Sequence, residues 1–413
     1  MIRALATSAS AVLAWNVARL ALQLAWVLLL ARALGPDGYG TFSGLAGLGL
    51  ALGGFAALGM GLRLYEHVAR DHAVLDSHWA LVRRGLAWSA PVLLVLYLLC
   101  AFGMLIDAAA VVIVSIGVAE ILLAPLCTQV AFAYASVGRM GESAAAPVAL
   151  SVARVAAAGC LLVLPSMGLA GYAILHVFTT LVAVWWIWRL AHRRLGLSRH
   201  SRRVNAAELK SGLGFASIWA SGLALTSLDK TAVMYAGGGA VAGEYTAGYR
   251  LASVAALPVE ALTVVVMPRL FRAGAGKPLS MRHTLLLVAG VLTYGGVAGW
   301  LVSLAAPVVP LLLGEGFAGL VPLVAMLGWW VPAYCLRMLS GNMLLGYGRK
   351  RVRICVELSG LAVMAILVLW WVPGSDLSGA LRALLVAEWW MACLSLVMVT
   401  LLPFTRHARS GSA

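Results

Sequence analysis

The sequence predicts an all-α polytopic membrane protein: twelve transmembrane helices in two six-helix lobes, related by a pseudo-two-fold axis along the membrane normal. Three observations predict it. The chain is 62% hydrophobic and only 11% charged, with mean hydropathy +0.96, whereas soluble domains run to roughly 45–50% apolar and about 25% charged. Apolar runs of the length that crosses hydrocarbon, about 20 residues, recur between breakers along the whole chain. The loops joining them alternate between basic and base-poor. Alternating strand-length repeats of an outer-membrane barrel are absent.

Taken in order, the spans run roughly 11–34, 41–62, 80–106, 108–135, 143–164, 168–190, 211–236, 243–268, 281–304, 318–346, 352–372 and 378–402. Ala31-Arg32-Ala33 imitates a signal-peptide cleavage site. The run before it is longer than an h-region and is interrupted by Arg19 and Gln23, so it reads as a retained first span. One set of loops carries Arg63, Arg70, Arg83 and Arg84, then Arg139, then the Arg193–Arg203 run, Arg269 to Arg282, and Arg349 to Arg353. The opposite set holds Arg32 with Asp37, Asp107, Glu244, Glu315 and Asp376. Basic loops stay in the cytoplasm, which places both termini there.

The net charge of +15 is therefore a topology signal. The Arg193–Arg203 run reads as a solvated loop facing anionic lipid rather than as a surface for nucleic acid. It is the one lengthy polar connection, residues 191–210, and divides an N-terminal lobe, 1–190, from a C-terminal lobe, 211–402, with a cytoplasmic tail at 403–413. Trp185, Trp186 and Trp188 before it form an interfacial belt. The six cysteines fall inside apolar segments, without metal-ligand spacing, and read as packing residues.

A weak internal repeat supports the division. Gly40-Thr41-Phe42 after the first span matches Gly243-Glu244-Tyr245 after the seventh, and Val137-Gly138-Arg139 matches Tyr347-Gly348-Arg349. Pro165 and Gly171 recur as Pro373 and Gly379. Six spans per half give both halves the same direction of insertion, a known transporter plan with the substrate between the halves.

Charges inside spans are costly and mark sites or ion pairs. Here they are Arg19, Arg154, Lys230, Arg250, Arg337 and Arg382, with Glu120, Asp229, Glu260, Glu357 and Glu388. Asn16, Arg19 and Gln23 share one face of the first helix. The repeat maps that face onto Trp219, Gly222, Thr226 and Lys230, so Arg19 and Lys230 are expected on equivalent walls of one cavity. Arg250 lies about 10 Å inside the outer end of the eighth helix. Several cations with few matched anions suit a phosphate or pyrophosphate head group. The alternative is ion pairing, for instance of Lys230 with Asp229 or Glu260. Glu120 and Arg154, mid-span on neighbouring helices, read first as a structural pair. Proton or cation coupling through Glu120 is the second reading, and Glu260 after Pro258 is a gating or coupling candidate. His176 reads as packing. Metal clusters, Walker loops and nucleophile elbows are missing from the sequence, and no cofactor is implied.

Asn16-x-x-Arg19-x-x-x-Gln23 leading into Leu29 to Phe42 resembles the first-span signature of bacterial polysaccharide flippases. Leu228-Asp229-Lys230, the Gly243 to Leu251 segment and the Gly348-Arg349 to Gly379 segment resemble the same family. This is the polysaccharide transporter family of the multidrug/oligosaccharidyl-lipid/polysaccharide (MOP) exporter superfamily. The resemblance implies a V-shaped pair of lobes in the bacterial inner membrane, alternating between inward- and outward-open states. It implies, as substrate, oligosaccharide units on undecaprenyl pyrophosphate for O-antigen, capsule or exopolysaccharide. Partners would be the bilayer, the lipid-linked substrate, and a polysaccharide polymerase with chain-length machinery. The alternatives are a cation-coupled exporter of small molecules and a membrane enzyme acting on lipid-linked sugars.

Overall fold

A computed structural model describes residues 2–104, 107–197, 202, 204–260, 262 and 280–401, with side chains from residue 11 onward. Helix α1 (Ile2–Gly53) runs 52 residues with a bend at Gly35, so it holds the first span and most of the second. A 3-10 turn (Ala56–Gly59) and α2 (Met60–Val68) complete the second. The third span is α3 (Leu75–Gly103). The fourth is assembled from α4 (Ala110–Gly117), a π turn (Val118–Leu123) and α5 (Ala124–Ser136). Helices α6 (Met140–Val163) and α7 (Gly168–Leu195) are the fifth and sixth. Next come α8 (Ala206–Leu225) and α9 (Leu228–Val254), bent 44° at their junction. The rest is α10 (Met281–Leu304), the short α11 (Val309–Leu313), α12 (Val324–Gly346) and α13 (Lys350–Leu401), the last bent at Asp376.

Eight helical stretches and one bent pair among the described residues are long and apolar enough to cross a membrane. Two of them, Ala11–Val68 with 58 residues and Lys350–Leu401 with 52, are long enough to cross twice. With the break at Gly238 inside α9 opening the eighth span, the helices accommodate the twelve expected from sequence. The expected end of the eighth span at 268, several arginines of the basic loops and the tail lie outside the described residues.

The repeat recurs in the backbone with far more force than in the side chains. Gly35 (φ 68, ψ −179) and Gly238 (φ 79, ψ −179) hold the same left-handed extended conformation, which glycine alone adopts without strain. Each breaks one helix and starts the next, and Pro36 then sits at a first helical position, where its missing N–H costs nothing. Gly138 (φ 78) and Gly348 (φ 73) both cap helices in left-handed geometry. Their caps are superimposable in pattern: Arg139 N–H donates to the Tyr134 carbonyl at 3.0 Å, and Arg349 N–H to the Leu344 carbonyl at 2.8 Å. The third pair is Gly168 (φ 57, ψ −162) and Asp376 (φ 48, ψ −130). Asp376 thus occupies a conformation where the first half has glycine. Asp376→Gly should stabilise the chain by about 1 kcal/mol by relieving that strain, read as a higher unfolding midpoint of the purified protein.

The chain forms two compact units, Met1–Thr231 and Ala232–Ala413, so α8 and the first turn of α9 pack into the first. Glycines make this possible. A Cβ at Gly54 would stand 2.7 Å from the Ala220 Cα, and one at Gly47 would stand 2.5 Å from the Ser227 carbonyl oxygen. The Thr231 hydroxyl closes the seam by donating to the Gly44 carbonyl at 2.7 Å. The Gly44–Gly61 stretch thus buys backbone-to-backbone approach, as small residues do between helices in lipid. An apolar cluster including Met60, Leu64, Trp79, Val130 and Ile187 fills the same unit. In the second unit Gly299 and Gly328 bring α10 and α12 into the same kind of backbone contact.

Candidate functional site

The first half of α1 lies along α6 and carries the polar stripe. Asn16 and Gln23 are exposed and Arg19 is half-buried. Arg19 makes no hydrogen bond or ion pair among the described residues. Trp26, three residues past Gln23, continues the stripe. Its indole N–H donates to the Tyr172 hydroxyl at 2.9 Å. Phe42 packs edge-on against Trp26, Tyr172 and His176, with ring centroids 5.8, 5.3 and 5.4 Å away.

Beyond Trp26 is a buried charged cluster. Glu120 sits in the π turn, which the sequence itself provides for: Pro125 has no N–H to give the Ile121 carbonyl and its ring crowds that turn. Arg154 on α6 donates to Glu120 Oε1 at 2.6 Å, and His176 Nε2 on α7 lies 3.1 Å from the same oxygen. The Arg154 guanidinium stands 5.4 Å from the centre of the Trp26 ring. Glu120 and His176 are buried, as is the His176 Nδ1 atom, which has no hydrogen-bond partner among the described residues. The second half of α1 is moulded to this turn, since a Cβ at Gly49 would come within 2.9 Å of the Glu120 Cβ. Gly49→Val should therefore displace Glu120 and cost about 1–3 kcal/mol through overpacking, measured as a drop in unfolding midpoint.

Lys230 is placed differently from Arg19. It is buried, and its ammonium donates to both carboxylate oxygens of Asp229 and to the Thr226 carbonyl, each at 2.8 Å. The pairing considered from sequence is present. The expected single face through Trp219, Gly222, Thr226 and Lys230 is interrupted, because α8 ends at Leu225 and α9 starts at Leu228. The Thr226 and Ser227 hydroxyls bond back to the Leu223 carbonyl, at 3.1 and 2.6 Å, a known way of bending a helix. Thr226 and Trp219 are exposed while Lys230 turns inward.

The second unit has its own cluster. Arg337 on α12 pairs with Glu388 on α13, both buried, and lies over the Tyr334 ring, whose hydroxyl donates to Glu260 at 2.8 Å. Tyr249, Trp330 and Tyr334 follow one another in tilted ring contacts, with centroids 5.0 and 4.7 Å apart. Arg250 is exposed. Among the described residues no group of three or more His, Cys, Asp or Glu could hold a metal ion. The structure therefore joins Glu120 to Arg154 and Asp229 to Lys230, and links Glu260 to the Arg337 pair through Tyr334. Sequence reasoning missed His176 and Trp26 as members of the first cluster. For Trp26 the signal was available in its helical spacing from Gln23.

Comparison with solved structures identifies the architecture. The chain superimposes on an inward-facing multidrug resistance MATE family transporter of the MOP superfamily with TM-score 0.75, at 15% identity and 96% coverage of each chain. It matches the lipid II flippase MurJ in an inward closed conformation with TM-score 0.71, at 11% identity, over 94% of this chain and 87% of that one. An outward-facing multidrug resistance MATE family transporter gives TM-score 0.56 at 14% identity, covering 98% and 97%. No protein-family model and no curated protein matches the sequence. The chain shares the fold of these transporters.

Proposed function

We propose that this all-α, multi-pass membrane protein is a flippase that moves oligosaccharide repeat units linked to undecaprenyl pyrophosphate across the bacterial inner membrane, by alternating access. The observation that carries the reading is the stripe of Asn16, Arg19 and Gln23 on a membrane-spanning helix, with Arg19 at its centre lacking an ion-pair partner among the described residues. A guanidinium is tolerated in a span only if something polar meets it, and it suits a phosphate by planar, charge-assisted hydrogen bonds. A protein whose fold it shares is by name a lipid II flippase. Arg250 and Thr226 are the further candidate contacts. Lys230, held by Asp229, would reach a head group only by exchanging that carboxylate for it.

The experiment is deletion of the gene. The expected result is loss of surface polysaccharide with accumulation of lipid-linked repeat units on the cytoplasmic side. Unchanged polysaccharide without accumulation would overturn the reading. A second reading, a cation-coupled exporter of small molecules, is supported by the match to a multidrug resistance MATE family transporter and by the buried Glu120 cluster. Altered dye efflux with intact glycan in the same strain would select it.

A further inference from the structure

Arg19 is not the last cation beside the stripe of α1. Seven residues on, about 10 Å along the helix, Trp26 presents its ring to the Arg154 guanidinium. We propose that Arg154 is a second binding residue for the anionic head group, and that Glu120 is the counter-anion it holds until phosphate arrives. This rests on the flippase reading above and names a further residue of that site.

Three observations carry it. The first is unmet donor capacity. A guanidinium has five N–H donors, yet among the described residues Arg154 gives one hydrogen bond, to Glu120 Oε1, and its Nε is buried with no partner. One donor is thus buried unmet, at a cost, and the guanidinium nitrogens not committed to Glu120 remain open to another acceptor. The second is access. The Arg154 side chain is 20% exposed, while those of Glu120 and His176 are 5% and 0% exposed. Within the cluster the guanidinium is the member that reaches outward, and the acid and the histidine stand behind it. The third is rigidity. Trp26 is pinned by its hydrogen bond to Tyr172 and by the edge of Phe42, so the ring that steadies the guanidinium is itself fixed. A planar fork held in one orientation is the form that pairs with two oxygens of a phosphate. Arg337 in the other unit forms the contrast: it pairs with Glu388 as a deeper group, 10% exposed, and none of its nitrogens is buried without a partner.

The test titrates the purified full-length chain in detergent with farnesyl diphosphate and, separately, with inorganic pyrophosphate. Glu120→Gln should tighten diphosphate binding about tenfold, the worth of one charge-assisted hydrogen bond returned to the ligand. The neutral double variant Glu120→Gln/Arg154→Gln should lose that gain and bind more weakly than wild type. If the single variant is not recovered monodisperse, the double variant decides alone. Tightening with both probes, or with the prenyl diphosphate alone, supports the assignment, the first showing that phosphate itself is read and the second that the lipid is needed. A monodisperse Glu120→Gln protein with unchanged affinity, or a double variant binding as wild type does, overturns it. Binding that depends on Arg19 but ignores both substitutions overturns Arg154 alone. Absence of wild-type binding to either probe overturns the flippase reading and this inference together.

Discussion

Arg19→Ala abolishes complementation of a deletion strain at wild-type levels of membrane-inserted protein. The expectation follows from where Arg19 stands: half-buried on a spanning helix between Asn16 and Gln23, with no ion-pair partner among the described residues. Alanine is helix-favouring and apolar, so the substitution leaves the span intact and the fold unperturbed. What disappears is a charge-assisted contact to the head group, worth about 1.5–3 kcal/mol, or roughly one to two orders of magnitude in affinity. Arg19→Lys should recover part of the activity, since the charge remains while the planar fork is lost. Full complementation by Arg19→Ala, scored by surface polysaccharide on gels, would remove Arg19 from the site.

Arg337→Met should destabilise the second unit by about 3–5 kcal/mol, because it strands Glu388 as an unpaired buried anion. The double substitution Arg337→Met/Glu388→Leu should recover most of that loss, since an ion pair replaced as a pair by apolar groups is close to neutral. The readout is the unfolding midpoint of the purified chain. A double variant as unstable as the single one would mean that the Tyr334 and Glu260 contacts depend on the guanidinium itself.

The fold was legible because lipid imposes strict rules. Span length marks the membrane-crossing helices, and the placement of arginines sets the direction expected for them. One pair of turns was legible through the repeat of Gly138 and Gly348, whereas the left-handed conformations there and at Gly35 and Gly238 emerge only from the structure. Asp376 shows the limit, because nothing in an aspartate advertises a glycine-like backbone. Within the site, the face of Asn16, Arg19 and Gln23 followed from spacing alone. The position of Lys230 did not, since serine and threonine back-bonding at 226–227 breaks the helix without proline or glycine. His176 meets Glu120 across 56 residues of chain. Such a contact is set by how three helices pack, and no local pattern encodes it.

The wide turn at Val118–Leu123 carries a consequence for how the protein could change. A π turn holds one residue more than the α-helix it interrupts, so losing a single codon there takes out the extra residue, while Pro125 still withholds one N–H from the turn. Both flanks, from Ala110 to Gly117 and from Ala124 to Ser136, would keep their seating against their neighbours. Only the carboxylate in the swelling would be carried off its mark. One small deletion or insertion can therefore move the acid without moving its span, and the strain falls on Arg154 and His176, which lose their shared acceptor.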